Sequence, residues 1–196
     1  MHTLIFATTN THKVAEVKEI AEAQLRILSL KDAGYSNLIL EETAGTLRGN
    51  AQQKAQTLYD LTCEDCFAED TGLEVDALHG APGIYTARYA GAEGDPVKNV
   101  QKLLDEMSGV TVRTARFRTV IALIVQKAMY FFEGTVEGRI AEQPRGTGGF
   151  GYDPVFIPDG YDQTFAELVP EIKNNLSHRS QAVWKMIVFL KSDIYI

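Results

Sequence analysis

The sequence predicts an α/β fold, a mixed sheet flanked by helices, built as one domain over residues 1–196. Three observations point to it. Short apolar, β-branched runs are interleaved with amphipathic helical stripes rather than segregated from them. The runs separated by helices imply parallel crossovers, whereas the two runs joined at Gln126-Lys127-Ala128 imply a hairpin, so the sheet holds both kinds of pair. Finally, 196 residues at 45% hydrophobic and 23% charged can bury one sizeable core, which excludes a disordered or low-complexity chain.

Thr3 to Thr8 reads as a buried strand, ended by a polar turn. A helix from Thr11 to Ala23 follows, with Val14, Val17 and Ala21 on one stripe and Asn10 or Thr11 as its cap. Arg26 to Leu30 is a second strand and Asn37 to Leu40 a third. Leu47, Ala51, Ala55, Leu58 and Leu61 mark a helix over Thr46 to Leu61. Cys66 to Glu69 and Leu73 to Asp76 read as two short strands, followed by a Gly/Pro-rich loop from His79 to Gly94. Asp95-Pro96 supplies an N-cap and a proline at the first helical position, ahead of Val97, Val100, Leu104 and Met107. Arg113 to Val125 and Met129 to Val136 form the hairpin, Arg139 to Ala141 a further strand, and Pro154 to Ile157 another. A last helix starts at Ser177 and carries Val183, Ile187 and Leu190.

Nineteen Lys and Arg face 26 Asp and Glu, a net charge of −7. That balance argues against a nucleic-acid polymer, which needs an extended basic surface. It does not exclude one nucleotide, since a small site can differ in sign from the whole molecule. The longest apolar run, Thr119 to Val125, is far short of the ~20 residues that span a bilayer, and no signal peptide opens the chain. No membrane association is expected. Cys63 and Cys66 lack a second pair for zinc, and the acidic Glu64-Asp65 between them disfavours thiolates, so two reduced thiols in a cytoplasmic protein are expected.

Four constellations carry possible chemistry. Gly146-Thr147-Gly148-Gly149-Phe150-Gly151 matches the dinucleotide fingerprint in letters but leads into a strand, not a helix, so neither a Rossmann nor a P-loop site is predicted. It is either a plain glycine turn or the wall of a pocket formed with Phe150, Tyr152 and Asp153. Thr8, Thr9 and Asn10 lie at the carboxyl end of the first strand with Lys13 one turn into the helix, a place suited to phosphate or simply to a capped helix. Glu41-Glu42 and Glu69-Asp70-Thr71-Gly72 end two strands and could supply carboxylates to Mg²⁺. Ser177-His178-Arg179 puts two basic residues at a helix N-terminus against the dipole preference, which implies that something else recruits them.

Taken with Gly80-Ala81-Pro82-Gly83-Ile84-Tyr85, these segments fall in the order of one family. Over nearly its whole length the chain resembles the noncanonical purine NTP pyrophosphatases, the inosine/xanthosine triphosphatase family. The resemblance implies an elongated fold of two lobes around a central cleft, usually a homodimer, and a Mg²⁺-dependent hydrolase. Its substrates would be ITP, dITP and XTP, cleaved to monophosphate and pyrophosphate. Carried over by position, Thr8, Thr9, Asn10 and Lys13 hold the triphosphate and Thr71 touches its phosphates. Asp70 is the acid at the reaction centre and a metal ligand. Glu41 is the second metal ligand, with Glu42 as the alternative. Phe150, Gly151, Tyr152 and Asp153 line the nucleoside pocket, Lys173 binds substrate, and Ser177, His178 and Arg179 read the base.

Two positions depart from the family pattern: Thr71 replaces a common Ser, and Gly49-Asn50-Ala51 replaces Glu-Asn-Ala. A nucleotide sensor without catalysis, or a pyrophosphatase for modified pyrimidine nucleotides, are the rival readings. Retained acids speak against the first and the Ser177-His178-Arg179 segment against the second.

Overall fold

The computed structural model describes residues 2–192. Its elements in chain order are Thr3–Phe6 (β1), Thr11–Ala21 (α1), Arg26–Ser29 (β2), Leu47–Thr62 (α2), Cys66–Val75 (β3) and Pro82–Gly83 (β4). Then come Pro96–Glu106 (α3), Thr114–Val125 (β5), Ala128–Ile140 (β6), Phe156–Pro158 (β7), Pro170–Leu176 (α4) and His178–Lys191 (α5). The fold is mixed α/β. Strand order is β2-β1-β3-β5-β6-β7, with β4 paired to β3. β1 runs parallel to β2 and β3, while β4 and β7 pair antiparallel with β3 and β6.

Local chemistry sets the boundaries. Asn10 caps α1 by accepting from the His12 and Lys13 amides, Thr46 caps α2 by accepting from Gly49, and Asp95 caps α3 with Pro96 at its first position. The β5–β6 turn needs two residues with left-handed backbone, and Gln126 and Lys127 adopt φ of 50° and 67°.

The structure corrects several expected elements. Asn37 to Leu40 forms no strand; Leu38 donates to the Tyr35 carbonyl in a turn, and Leu38 and Leu40 pack on a core instead. The two strands expected at Cys66 and Leu73 are one, because Thr71-Gly72 stays extended, and Arg139 to Ala141 is absorbed largely into β6. Pro154 sits in a single 3₁₀ turn that delays β7 to Phe156. α4 is unforeseen; Pro170 opens it.

Two compact units are present, each discontinuous in sequence. Unit 1 is Met1–Asp70, Thr119–Gly134 and His178–Ile196. It has a core on each side of its strands. Leu4, Phe6, Phe67, Ile121 and Leu123 pack with α1 and α5, and the intervening Ile5, Ala7, Cys66, Ala68 and Ala122 pack with α2. Unit 2 is Thr71–Arg118 and Thr135–Ser177, and its core gathers Leu73, Val75, Leu103, Phe117, Phe156 and Phe165. Among the described residues no helix is long and apolar enough to cross a membrane.

Candidate active site

Strand alternation decides the chemistry of unit 1. Phe67 and Ala68 point to opposite cores, so the next two residues, Glu69 and Asp70, do the same. Each carboxylate then meets a different set of helices.

On the α1/α5 side, Glu69 is almost fully buried. Arg179, at the start of α5, holds it through a fork: Nε donates to both carboxylate oxygens at 3.0 Å and Nη2 to Oε1 at 2.7 Å. The third guanidinium nitrogen, Nη1, donates to Glu16 Oε2 at 2.5 Å, and Lys13 Nζ stands 3.3 Å from Glu69. Burial alone pushes the Glu69 carboxyl up, but Arg179 and Lys13 outweigh it and hold the carboxyl at about 2. Burial lowers the Lys13 ammonium, with Lys54 and Arg179 adding repulsion against the pull of Glu69. Arg179 is therefore recruited to the helix start by two carboxylates.

On the α2 side, Asp70 Oδ2 accepts from Asn50 Nδ2 at 2.9 Å and Oδ1 lies 3.5 Å from Lys54 Nζ. The same ammonium pairs with Glu42. Burial raises the Asp70 carboxyl above its ordinary value; Lys54 and Lys13 pull it down, and the Glu42 carboxylate pushes it up again. Asp70 is thus biased toward proton acceptance while its neighbour in sequence is held ionised.

Of the residues expected here, Asn10 is committed to its cap and donates from its backbone to Thr8 Oγ1 at 3.2 Å; Thr9 is exposed. Glu41 is exposed, and Glu42 is the acid that joins Lys54 and Asp70. Thr71 continues β3, half-buried, and buried His178 opens α5 beside Arg179. At Gly49 a Cβ would come within 2.7 Å of Ala44 Cβ and 2.9 Å of Thr46 Oγ1, so a side chain there would require those groups to shift.

Sequence reasoning missed Glu16, Asn50 and Lys54. Each had a signal: Lys13 and Glu16 are three apart on α1, and Asn50 and Lys54 are four apart within the apolar stripe of α2. Polar residues placed on a buried stripe need partners.

Unit 2 holds a polar group of its own. Asp153 Oδ2 accepts from the Phe150 amide at 2.7 Å and from Lys173 Nζ at 2.8 Å. Lys173 also sits 5.4 Å from the Phe150 ring centroid. The glycines are dictated by packing. Gly149 has φ 68°, and a Cβ there would stand 2.0 Å from Asp153 Oδ2; at Gly146 it would stand 2.5 Å from the Ala166 backbone. Gly151 has φ 64°. Tyr152 is a core residue whose hydroxyl donates to the Thr86 carbonyl. Ser177 is buried at the end of α4, one residue before α5.

No group of three or more His, Cys, Asp or Glu gathers as a metal site among the described residues. Two oxygen-donating carboxylates, Asp70 and Glu42, do face one cation, Lys54. Two carboxylates are a donor set that fits a hard divalent ion whose shell phosphate oxygens complete.

The fold of the chain has solved counterparts. The Ham1 protein of Staphylococcus aureus superposes with a TM-score of 0.86 at 35% identity, covering 96% of this chain and 98% of that one. The HAM1 protein of Coxiella burnetii gives 0.87 at 35% identity, covering 97% and 98%. Among relatives, the dITP/XTP pyrophosphatase of Porphyromonas gingivalis is 51% identical over 97% of this chain and 98% of its own length. That of Flavobacterium johnsoniae is 46% identical over 95% and 97%. Residues 4–189 match the Ham1 family model, and with this coverage the chain belongs to the Ham1 family.

Proposed function

We propose that the chain hydrolyses noncanonical purine nucleoside triphosphates (ITP, dITP and XTP) to the monophosphate and pyrophosphate. The observation that carries this reading is the pair of carboxylates, Asp70 and Glu42, set around Lys54. A site built only to hold phosphates gains nothing from two carboxylates beside them; hydrolysis needs an acceptor for a water proton. The names of close relatives support the same reading.

Asn50 fixes Asp70 Oδ2, which leaves Oδ1 to orient the attacking water and take its proton. Asp70 and Glu42, rather than the exposed Glu41, would hold Mg²⁺, which would neutralise phosphate charge and polarise the phosphoryl oxygens. Lys13 and Lys54 meet the triphosphate, with Thr8, Thr9, Asn10 and Thr71 as its polar surroundings. Phe150 offers a half-buried ring for the base, backed by Asp153 and Lys173, with Gly151 and Tyr152 shaping that loop. Ser177 and His178 serve base recognition. Arg179, whose Nε and Nη atoms already serve Glu69 and Glu16, acts on the site by holding Glu69 ionised. The same reading makes the nucleotide, not a nucleic-acid polymer, the partner, and the enzyme a cytoplasmic homodimer.

The test is incubation with ITP, XTP, GTP, ATP and dUTP plus Mg²⁺, with pyrophosphate and orthophosphate quantified separately. Pyrophosphate from ITP and XTP, with little from ATP or GTP, is expected. Orthophosphate as the first product means cleavage at the γ-phosphate and overturns the reading.

A further inference from the structure

Unit 2 also holds a cavity of about 420 Å³ into which three arginines project, Arg113, Arg139 and Arg145, and none of its lining residues belongs to the candidate active site. Its volume is in the range of small-molecule sites. Two acids, Glu142 and Asp162, line it as well, so three guanidinium groups face two carboxylates in a chain whose net charge is −7.

The three arginines are held differently. Arg113 is fixed by neutral acceptors alone: Nε donates to the Ile140 carbonyl at 2.7 Å, Nη1 to those of Met107 and Val110 at 2.9 and 3.4 Å, and Nη2 to that of Ala141 at 2.9 Å. Among the described residues no carboxylate pairs with it. Arg145 Nη2 donates to the Asp162 carbonyl at 2.8 Å, and its Nε makes a longer ion pair with Glu167 at 3.6 Å. Arg139 reaches Asp162 Oδ1 at 3.3 Å, but that carboxylate is fully exposed and the contact is long and screened. Carbonyl dipoles thus orient the Arg113 guanidinium without cancelling it, while Arg145 and Arg139 each meet one carboxylate, Glu167 and Asp162, at more than 3 Å.

We propose that this cavity binds a phosphate-type oxyanion, either the free ion or the phosphoryl group of a small phosphomonoester. Planar guanidinium forks match the geometry of such an anion, and charge-assisted bonds to it are stronger than those to carbonyls. Arg113 has a structural task, joining the end of α3 to the end of β6, and supplies fixed positive potential. Arg139 and Arg145, half-exposed and less encumbered, close on the ligand. Ile157, which also lines the cavity, offers apolar surface for the remainder of a monoester.

The test follows the backbone amide resonances of Ile140, Ala141 and Gln143 while inorganic phosphate or glycerol 3-phosphate is titrated into the whole protein. Saturable shifts at millimolar concentration are expected, and the R139Q/R145Q double variant weakens binding by about tenfold or more. That variant keeps Arg113, and retains its fold and its nucleotide turnover. Shifts with both ligands mean that the phosphoryl group is read; shifts with phosphate alone mean that the free ion is; either upholds the site. Absence of saturable shifts, or equal affinity in the double variant, overturns it. Neither result depends on the proposed hydrolysis, which is measured separately.

Discussion

Unit 1 covers its strands on both faces, whereas in unit 2 β3, β5 and β6 bury one face and leave the other more open to solvent. In unit 1, successive residues of β1, β3 and β5 enter two different cores. In unit 2 the outward positions Glu74, Asp76, Arg116, Arg118 and Glu137 form a charged ladder. Arg116 donates to Glu137 and Asp76, and Arg118 to Glu74. A charge on the ladder is solvated whether or not its partner stays. A charge buried in unit 1 depends entirely on its partners. Two-sided burial is therefore what allows Glu69 and Asp70, adjacent in sequence, to be driven in opposite directions. One is held ionised by Arg179, and the other is pushed by burial toward its protonated form.

The sharpest way to break that contrast is Arg179→Met, which strands Glu69 and Glu16. A loss of about 3–5 kcal/mol in urea unfolding is expected, with substantial recovery when Glu69→Gln is added. Unit 2 gives a smaller effect by a different cause. Gly149→Ala puts a Cβ against Asp153 at a left-handed φ and costs about 1–3 kcal/mol, read in the same experiment.

Acid titration separates the two neighbours. The folded Glu69 value of about 2 lies below its ordinary 4.5, so its stabilisation is complete above 4.5 and is lost as pH falls toward 2. Glu69→Gln flattens that limb of the stability profile. Asp70 has the opposite sign: its folded value is raised above 3.8, so its contribution is present below 3.8 and is lost as pH rises. The ladder sets the floor. Arg116→Gln changes stability by less than about 1 kcal/mol, and the difference shrinks as salt is added.

β3, β5 and β6 each run through both units. We propose on that ground that the chain unfolds as one domain. A single transition by two spectroscopic probes is expected, and two resolved transitions would divide it.

Much of the fold was legible because its elements carry strong local signals. Asn10, Thr46 and Asp95 cap their helices, Pro96 opens one, and apolar stripes mark the buried faces. The misses arose where local chemistry and tertiary context disagree. Thr71-Gly72 looks like a turn but continues β3, and Asn37 to Leu40 looks like a strand but finds no neighbour to pair with. The site was only half legible. Asp70, Lys13 and Arg179 sit in conspicuous segments, yet their partners Glu16, Asn50 and Lys54 come from helices distant in sequence. Tyr152 stood out beside the glycines but fills the core, which periodicity could not reveal in so short a loop.

The direct measurement is ITP turnover by Asp70→Asn and Glu69→Gln side by side at neutral pH with Mg²⁺, together with nucleotide binding and thermal unfolding. Asp70→Asn should lose about 10²–10⁴-fold in kcat while it binds nucleotide and melts no lower than the wild type. Glu69→Gln should instead show itself in stability and in the acid limb. Wild-type turnover by Asp70→Asn would remove Asp70 from the chemistry and contradict the division of labour between the two carboxylates.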